Sequence, residues 1–332
     1  MNDGIILTLA YPETIVSHAE EWYSPLLKYI SIGNKKHVRA GHAALVLIDK
    51  KTGVLEYHDF GRYITSSPNG RVRGRETDFE LNFPLIAEFE NDKIKNLDSI
   101  LKFLATHPKL THGDGQLYSS VCDAIDYSKA RQHITMMQQL GFIRYAAFIS
   151  DACNCARFVT DSLIASVTDA DIKSKLIKSK RFTPSTIGNV VLADTENDVY
   201  VVTELGEITE FKSTVSKENR RLFLDTLVDY APSLTGTIEP KDNHEKQEHA
   251  QWLGGIAAGA WFELHPIGSK SEIRFRRISS YGNIDCDAIY KILNTNFNQH
   301  DQYAFVHYSN CNFFHIEQAS ETYRFEFIEH YT

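Results

Sequence analysis

Long hydrophobic runs are missing from this sequence. The longest apolar stretch near its start, residues 5–10, is shorter than the hydrophobic region of a secretory signal, and it follows Asp3 instead of a basic segment. No stretch approaches the ~20 apolar residues that a membrane-spanning helix needs. On these grounds we expect a soluble chain with no membrane span, no export signal and a cytoplasmic location.

A surplus of basic residues is missing as well. Acidic residues number 43 and basic residues 35, so the net charge is −8 at pH 7. Because nucleic-acid-binding domains usually carry a basic surplus, this balance argues against a nucleic-acid partner. The hydrophobic content of 42% is that of ordinary globular proteins, and a length of 332 residues predicts two domains.

The five cysteines follow no disulfide or zinc-binding pattern. An odd number at scattered positions does not make a disulfide framework. The one close pair, Cys153 and Cys155, has CxC spacing, with no second pair to complete a zinc site. We therefore expect no metal and no cofactor. The ordinary expectation for a lone cysteine, as at Cys122, Cys286 and Cys311, is a small buried apolar residue.

The clearest local structure is a β-hairpin. Residues 41–49 predict a nearly continuous apolar strand. Residues 50–53, with the sequence Lys-Lys-Thr-Gly, predict the turn, and residues 54–61 predict the return strand.

The length of the turn decides which side chains meet across this hairpin. If the turn has four residues, His42 faces Gly61, and Asp59 lies diagonally beside His42 on the same face. A turn that is one residue shorter or longer places His58 there instead. We favour Asp59 and keep His58 as the alternative.

The remaining pattern predicts a mixture of helices and strands. Amphipathic spacing predicts helices over residues 21–32, 91–107, 127–140, 155–167, 169–180, 217–230 and 288–293. Apolar runs predict strands over residues 5–10, 81–90, 143–149, 199–202, 207–211, 261–266, 272–278, 303–308, 312–316 and 322–328. We therefore expect an α+β fold with a boundary near residue 190, which separates residues 1–190 from a C-terminal α+β domain of residues 191–332.

The strongest sign of chemistry is the segment NCARFV at residues 154–159. Here Cys155 is the expected first residue of a helix, capped by Asp151 or Asn154, so that free N–H groups and the positive end of the helix dipole face its sulfur. This environment favours thiolate over thiol, and cysteine nucleophiles are commonly presented in this way. The alternative is a buried structural cysteine.

A thiolate nucleophile needs a base, and His42 is the best candidate among the 14 histidines. It begins a buried strand directly after Gly41, at an edge where a side chain can enter a cleft. Asp59, or His58 if the turn length differs, is then in a position to orient the imidazole. The alternatives are a histidine satisfied by backbone groups and a solvated carboxylate.

A polar segment at residues 66–80 carries three arginines and two glycines, and we interpret it as a loop at or near a site. Its arginines Arg71 and Arg73, with Arg75, have the chemistry to bind a substrate carboxylate. The alternative is a solvated loop without a binding role.

The order of these motifs resembles the circularly permuted branch of the NlpC-type papain-like fold, which includes lecithin retinol acyltransferase and its relatives. In that branch a strand histidine comes first, as in GHAAL at residues 41–45. A second polar residue follows on the next strand, as in YHDFG at residues 57–61, and an Asn-Cys-x-x-Phe-Val motif opens the nucleophile helix, as at residues 154–159. The resemblance covers about residues 1–185.

The resemblance implies a papain-like domain with a central antiparallel sheet, in which Cys155 is the nucleophile, His42 the base, and Asp59 or His58 the orienting residue. It also implies attack of the thiolate on an acyl carbon and a thioester intermediate. Residues 156–157 do not carry the acidic-His pair of the acyltransferases, which favours hydrolysis of an amide, in a peptide or cell-wall fragment. A thiol acyltransferase and a non-catalytic binding or scaffold protein are the alternatives.

Overall fold

The chain folds as an α+β protein, which confirms the class predicted from the sequence. The structure is a computed structural model and describes residues 2–332 except 20, 22–25, 27–28, 233–235, 237, 241–244, 270 and 295. The strands in the described residues are β1 Gly4–Tyr11, β2 Val16–Ser17, β3 His37–Val38, β4 His42–Asp49, β5 Leu55–Gly61, β6 Asn69–Arg73, β7 Phe89–Glu90, β8 Lys93–Ile94, β9 Leu117–Ile125, β10 Ile143–Arg144, β11 Tyr200–Val202, β12 Ile208–Glu210, β13 Gln251–Leu253, β14 Ala260–His265, β15 Glu272–Ser279, β16 Ile284–Ile292, β17 Ala304–Val306, β18 Phe313–Gln318 and β19 Glu321–His330. The α-helices there are α1 Leu97–Thr106, α2 Pro108–Thr111, α3 Tyr127–Gln139, α4 Cys155–Ser166, α5 Ala170–Ser179, α6 Thr186–Ala193 and α7 Val215–Phe223, and a 3₁₀ helix covers Phe79–Leu81. None of the described helices combines the length and the apolar composition needed to cross a membrane.

Two compact units divide the chain. The first joins Met1–Gly61 with Phe83–Ala231, and the second joins Arg62–Asn82 with Pro232–Thr332. The boundary predicted near residue 190 falls inside the first unit. The reason is that β11 pairs with β9, so the chain continues to contribute to the first unit's sheet beyond that residue.

The first unit is built around an antiparallel sheet in which six strands follow the order β5-β4-β1-β9-β11-β12. Every residue of β1 is buried, which is typical of a strand covered on both faces. Helix α4 packs against β4 and β5, and helix α6 packs against β1 and β9. This packing brings the N-terminus of α4 to the N-terminal end of β4.

The hairpin formed by β4 and β5 has the predicted register. Ala44 pairs with Asp59, which is the pairing that a four-residue turn requires. The turn is closed by a hydrogen bond from the Gly53 N–H to the Asp49 carbonyl oxygen at 2.8 Å. Gly53 has a φ of +70°, a conformation that glycine adopts without a steric penalty. The register therefore decides which side chains of β5 share a face with those of β4.

Three predicted helices of the first unit are confirmed. Helices α3, α4 and α5 lie within one or two residues of their predicted ranges. The helix predicted over residues 91–107 begins only at Leu97, because β7 and β8 form a small hairpin before it. Half of the residues in the helix predicted over residues 21–32 lie outside the described residues.

Other elements of the first unit differ from the prediction. The sequence pattern does not predict β9, although this strand lies inside the sheet, and it does not predict α6 after Pro184. The strand expected over residues 81–90 is wrong except for the short β7, and that expected over residues 143–149 is limited to β10. Both segments follow loops for most of their length, so apolar composition alone overestimates their strand content.

The second unit contains an antiparallel sheet with strand order β13-β14-β15-β16-β19-β18-β17. Aromatic side chains fill its core. The Phe314 ring stacks on Phe275 at a centroid distance of 4.3 Å and on Phe325 at 4.5 Å. All three are fully buried, so stacking adds to the free energy gained from their burial.

One helix predicted in the C-terminal region is replaced by a strand of this sheet. The helix predicted over residues 288–293 is wrong, because these residues belong mostly to β16. Burial alternates along the strand, with Cys286, Ala288 and Tyr290 buried and the residues between them partly exposed. In the part of this unit that the structure describes, the elements are strands apart from the one 3₁₀ helix.

We expect Phe275→Ala to destabilise the second unit. Removal of a fully buried phenylalanine costs about 3–5 kcal/mol of unfolding free energy, since transfer and cavity contributions add. Urea denaturation at equilibrium measures the loss. The control Ile328→Ala removes a side chain that is 42% exposed, and its expected effect is about 0.5 kcal/mol or less. Equal effects of the two variants would contradict an aromatic core at this position.

Candidate active site

Cys155 is the first residue of α4, as the sequence predicts. Asn154 is the N-cap: its backbone is extended, and its side-chain oxygen accepts a hydrogen bond from the Arg157 N–H at 2.9 Å. Of the two predicted caps, Asp151 and Asn154, the second therefore caps the helix. The N–H groups of Cys155 and Ala156 lie in the first turn, so the positive end of the helix dipole is close to the sulfur.

The turn that precedes Cys155 is held by side chains on both sides of it. The side-chain amide of Asn154 donates to the Ala146 carbonyl oxygen at 3.1 Å. Arg157 Nη1 donates to the Ala152 carbonyl oxygen at 3.0 Å. These bonds hold the backbone that enters α4, and with it the position of the thiol.

The hairpin brings His42 and Asp59 together. His42 Nε2 and Asp59 Oδ2 are 3.0 Å apart, and Asp59 is fully buried. The prediction that these two side chains share one face of adjacent antiparallel strands is thereby confirmed. Asp59 Oδ2 also accepts a hydrogen bond from the Tyr57 hydroxyl at 3.2 Å.

The imidazole of His42 connects Asp59 to Cys155. His42 Nε2 forms the hydrogen bond with Asp59. The other ring nitrogen, Nδ1, is therefore the one that forms the hydrogen bond with the Cys155 side chain. The sulfur also lies 3.9 Å from the Gly41 carbonyl oxygen. Three side chains, one each from β4, β5 and α4, thus meet at a buried point.

The electrostatics of this group favour a thiolate paired with an imidazolium. Burial alone would lower the pKa of His42, but hydrogen bonds to Asp59 and Cys155 and the charges of both raise this pKa to about 9. Burial alone would raise the pKa of Cys155, but the hydrogen bond and the charge of His42 hold it below its usual value. Backbone N–H groups of Ala43 and Ala156 act in the same direction on the sulfur.

The other four cysteines have different surroundings, and all five are free thiols. Burial raises the pKa of Cys122 to about 12 and raises those of Cys153 and Cys311 as well. Burial alone would also raise the pKa of Cys286, although hydrogen bonds, one of them to Cys311, lower it. The combination of a lowered thiol pKa with an imidazole partner is found at Cys155.

His58 lies on the opposite face of the hairpin. Its Nε2 is 3.7 Å from Glu56 Oε2, and the same carboxylate is 2.8 Å from Arg131 Nη1. This arrangement follows from the register, because alternate residues of a strand point to opposite faces. The geometry therefore brings Asp59, and not His58, to His42.

Arg71 and Arg73 require a correction, because residues 66–80 are not an open loop. Both arginines lie on β6 in the second unit and are 2% exposed. The Arg71 guanidinium forms two hydrogen bonds with the Asp78 carboxylate, each at 2.6 Å, and the Arg73 guanidinium lies 4.1 Å from the centre of the Tyr63 ring. Both guanidinium groups are thus engaged within their own unit, so a role in binding a substrate carboxylate does not fit their burial.

Two polar residues near the site are not singled out by the sequence pattern. Tyr57 precedes Asp59 by two residues, and this spacing on a strand is the signal that would have identified it. Asn189 donates from its side-chain amide to the Ala156 carbonyl oxygen at 2.8 Å, which connects α6 to the first turn of α4. Asn189 carries no comparable signal, because α6 itself is not predicted.

Two family models match parts of the chain. The model of a family described as "Type VI secretion system effector TseH-like" matches residues 6–172, a span that contains His42, Asp59 and Cys155. The model of a family described as "DUF6695 C-terminal domain" matches residues 250–328. No curated protein matches the chain.

A solved structure is also similar to this chain. Its title is "Crystal structure of Type VI secretion system effector, TseH", and it is 18% identical, with a TM-score of 0.39 over 64% of this chain and 99% of that one. The first family model covers half of the 332 residues. The chain therefore belongs to the TseH-like family of type VI secretion system effectors.

Proposed function

We propose that this protein is a cysteine hydrolase that cleaves an amide bond through a thioester acyl-enzyme. The observation that supports this most is the buried contact of Cys155, His42 and Asp59, with the sulfur at the N-terminus of α4. Catalysis by a cysteine nucleophile commonly uses this arrangement. The nucleophile is hydrogen-bonded to a base, and a third group is hydrogen-bonded to the base and orients it. In this proposal Cys155 is the nucleophile, His42 the acid and base, and Asp59 the orienting residue.

In the first half of the proposed reaction, the Cys155 thiolate attacks the carbonyl carbon of the amide and forms a C–S bond. Negative charge develops on the carbonyl oxygen, where N–H groups at the positive end of α4 can stabilise it. The His42 imidazolium donates its Nδ1 proton to the amide nitrogen, and the C–N bond breaks. The amine leaves, and the acyl group stays on sulfur as a thioester.

In the second half, neutral His42 takes a proton from a water molecule, and the resulting hydroxide attacks the thioester carbon. The C–S bond breaks, the carboxylic acid leaves, and the thiolate–imidazolium pair is restored. Asp59 stays ionised throughout and holds the imidazole in the orientation that presents Nδ1 to sulfur. The overall reaction consumes one water and produces one acid and one amine.

The proposed substrate is a peptide of the cell wall. A secretion effector acts after export, which favours an amide substrate outside the producing cell, and the cytoplasmic location predicted from the sequence then describes the protein before export. The proposal keeps the permuted papain-like arrangement, because His42 and Asp59 precede Cys155 along the chain. A non-catalytic scaffold and a thiol acyltransferase are the alternatives, and each would give a different result in labelling and product analysis.

Cys155 is expected to react with iodoacetamide at pH 6.5 faster than the other cysteines. An unperturbed thiol is about 1% ionised at that pH, whereas the hydrogen bond and charge of His42 lower the pKa of Cys155 and so raise its thiolate fraction. Mass spectrometry of labelled peptides measures the ratio. His42→Ala is expected to remove most of the excess, and the exposed His107→Ala is the matched control. Equal labelling of all five cysteines, unchanged by His42→Ala, would favour the scaffold.

Hydrolysis of cell-wall peptides is expected to depend on Cys155. Loss of a nucleophile or of an acid–base group reduces turnover by about 100-fold or more. Cys155→Ala and His42→Ala should therefore each lower kcat by at least that factor. The matched control is Cys153→Ala, which removes a neighbouring thiol whose pKa is raised. Mass spectrometry identifies the products, and acyl transfer to an amine acceptor without hydrolysis would support the acyltransferase. Full activity of Cys155→Ala would exclude the proposed mechanism.

The pH dependence of kcat/KM is expected to be bell-shaped. The acidic limb reports the lowered pKa of Cys155, and the alkaline limb reports the pKa of His42 near 9. Because the Asp59 carboxylate raises the pKa of His42, Asp59→Asn should move the alkaline limb to lower pH. Glu56→Gln, on the other face of the same strand, is the matched control and should leave the limb in place.

A further inference from the structure

Asp59 Oδ2 accepts hydrogen bonds from two side chains. His42 Nε2 lies 3.0 Å from this oxygen, and the Tyr57 hydroxyl lies 3.2 Å from it. Tyr57 and Asp59 are both fully buried. The carboxylate therefore shares one oxygen between the imidazole and a phenol in a site from which water is largely excluded.

The Tyr57 ring is held in place independently of Asp59. It packs against the Phe83 ring at a centroid distance of 5.6 Å, and its hydroxyl also lies 3.2 Å from the Thr111 carbonyl oxygen. One hydroxyl proton is thus shared between a carboxylate and a carbonyl oxygen. The Tyr57 hydroxyl is therefore held in a fixed position, and it donates only part of its hydrogen-bonding capacity to Asp59.

We propose that Tyr57 is a positioning residue of the candidate active site, which donates to the oxygen of Asp59 that His42 uses and so limits the strength of the His42–Asp59 hydrogen bond. The inference rests on the proposed function, because it concerns the same acid and base. When a carboxylate oxygen accepts a second hydrogen bond, part of its negative charge is neutralised, and its hydrogen bond to the first donor becomes weaker. Tyr57 then keeps the imidazolium acidic enough to protonate a leaving amine.

Besides Asp59, several titratable groups interact with His42. Cys155 faces it from α4, and Tyr11 stacks on it from β1 at a centroid distance of 6.4 Å. Asp114, in the loop after α2, interacts with it electrostatically. Tyr57→Phe leaves these groups unchanged, so its effect reaches His42 through Asp59.

The experiment compares Tyr57→Phe with the wild type. Removal of the phenol hydroxyl should strengthen the His42–Asp59 bond and move the alkaline limb of kcat/KM to higher pH. It should also lower kcat severalfold, because an imidazolium of higher pKa is a weaker acid toward the leaving amine. The pH profile of the alkylation rate of Cys155 should shift in the same way. This second measurement requires no substrate.

The matched control is Tyr127→Phe. The Tyr127 hydroxyl donates to Glu56, a carboxylate on the opposite face of the same strand. This variant loses a comparable bond outside the site, so its alkaline limb should stay in place. A double variant, Tyr57→Phe with Asp59→Asn, should show no additional pH shift over Asp59→Asn, because the phenol acts through the carboxylate.

A structural role alone would lower stability and kcat without moving the alkaline limb. This result, or a shift of the limb to lower pH, would overturn the inference.

If Tyr57→Phe does not fold, 3-fluorotyrosine at this position supplies a stronger donor of nearly the same size. The alkaline limb should then move to lower pH, and an unmoved limb would overturn the inference. Alkylation of Cys155 that does not respond to His42→Ala contradicts the proposed function itself, a result distinguishable from failure of the Tyr57 test.

Discussion

A buried hydrogen bond between His42 and Asp59 governs the chemistry available to Cys155. In a site removed from water, an isolated carboxylate tends to take up a proton and an isolated imidazolium tends to lose one. When the two groups are paired, both keep their charges, and the pKa of His42 rises to about 9. The charged imidazole then lowers the pKa of the thiol, so the reactivity of a residue on α4 depends on a contact made within the hairpin of β4 and β5.

The two faces of that hairpin carry different polar networks. On one face Asp59 pairs with His42, and on the other Glu56 lies beside His58 and Arg131. A shift of one residue in the register would exchange the faces and bring His58 toward His42. The four-residue turn therefore does more than reverse the chain, because its length selects the partner of the imidazole.

Local interactions explain which parts of this structure could be predicted. The start of α4 depends on Asn154, a cap that acts within three residues, and the pairing across the hairpin depends on a turn inside the same segment. The strand β16 depends instead on distant neighbours. It pairs with β15 and β19 on its two sides, and these pairings override the helical appearance of residues 288–293.

Short-range patterns in the sequence are enough to predict the α+β class, the order of His42, Asp59 and Cys155, and the presentation of the thiol at a helix start. Tertiary contacts between separate segments were needed to bring Cys155 to the imidazole, to hold Tyr57 beside the Asp59 oxygen, and to bury Arg71 against Asp78 instead of leaving it in an exposed loop. Such contacts depend on where separate segments meet in space. The same packing decides how far each charged side chain is removed from water, and therefore how its pKa shifts, and a local sequence pattern does not contain this information.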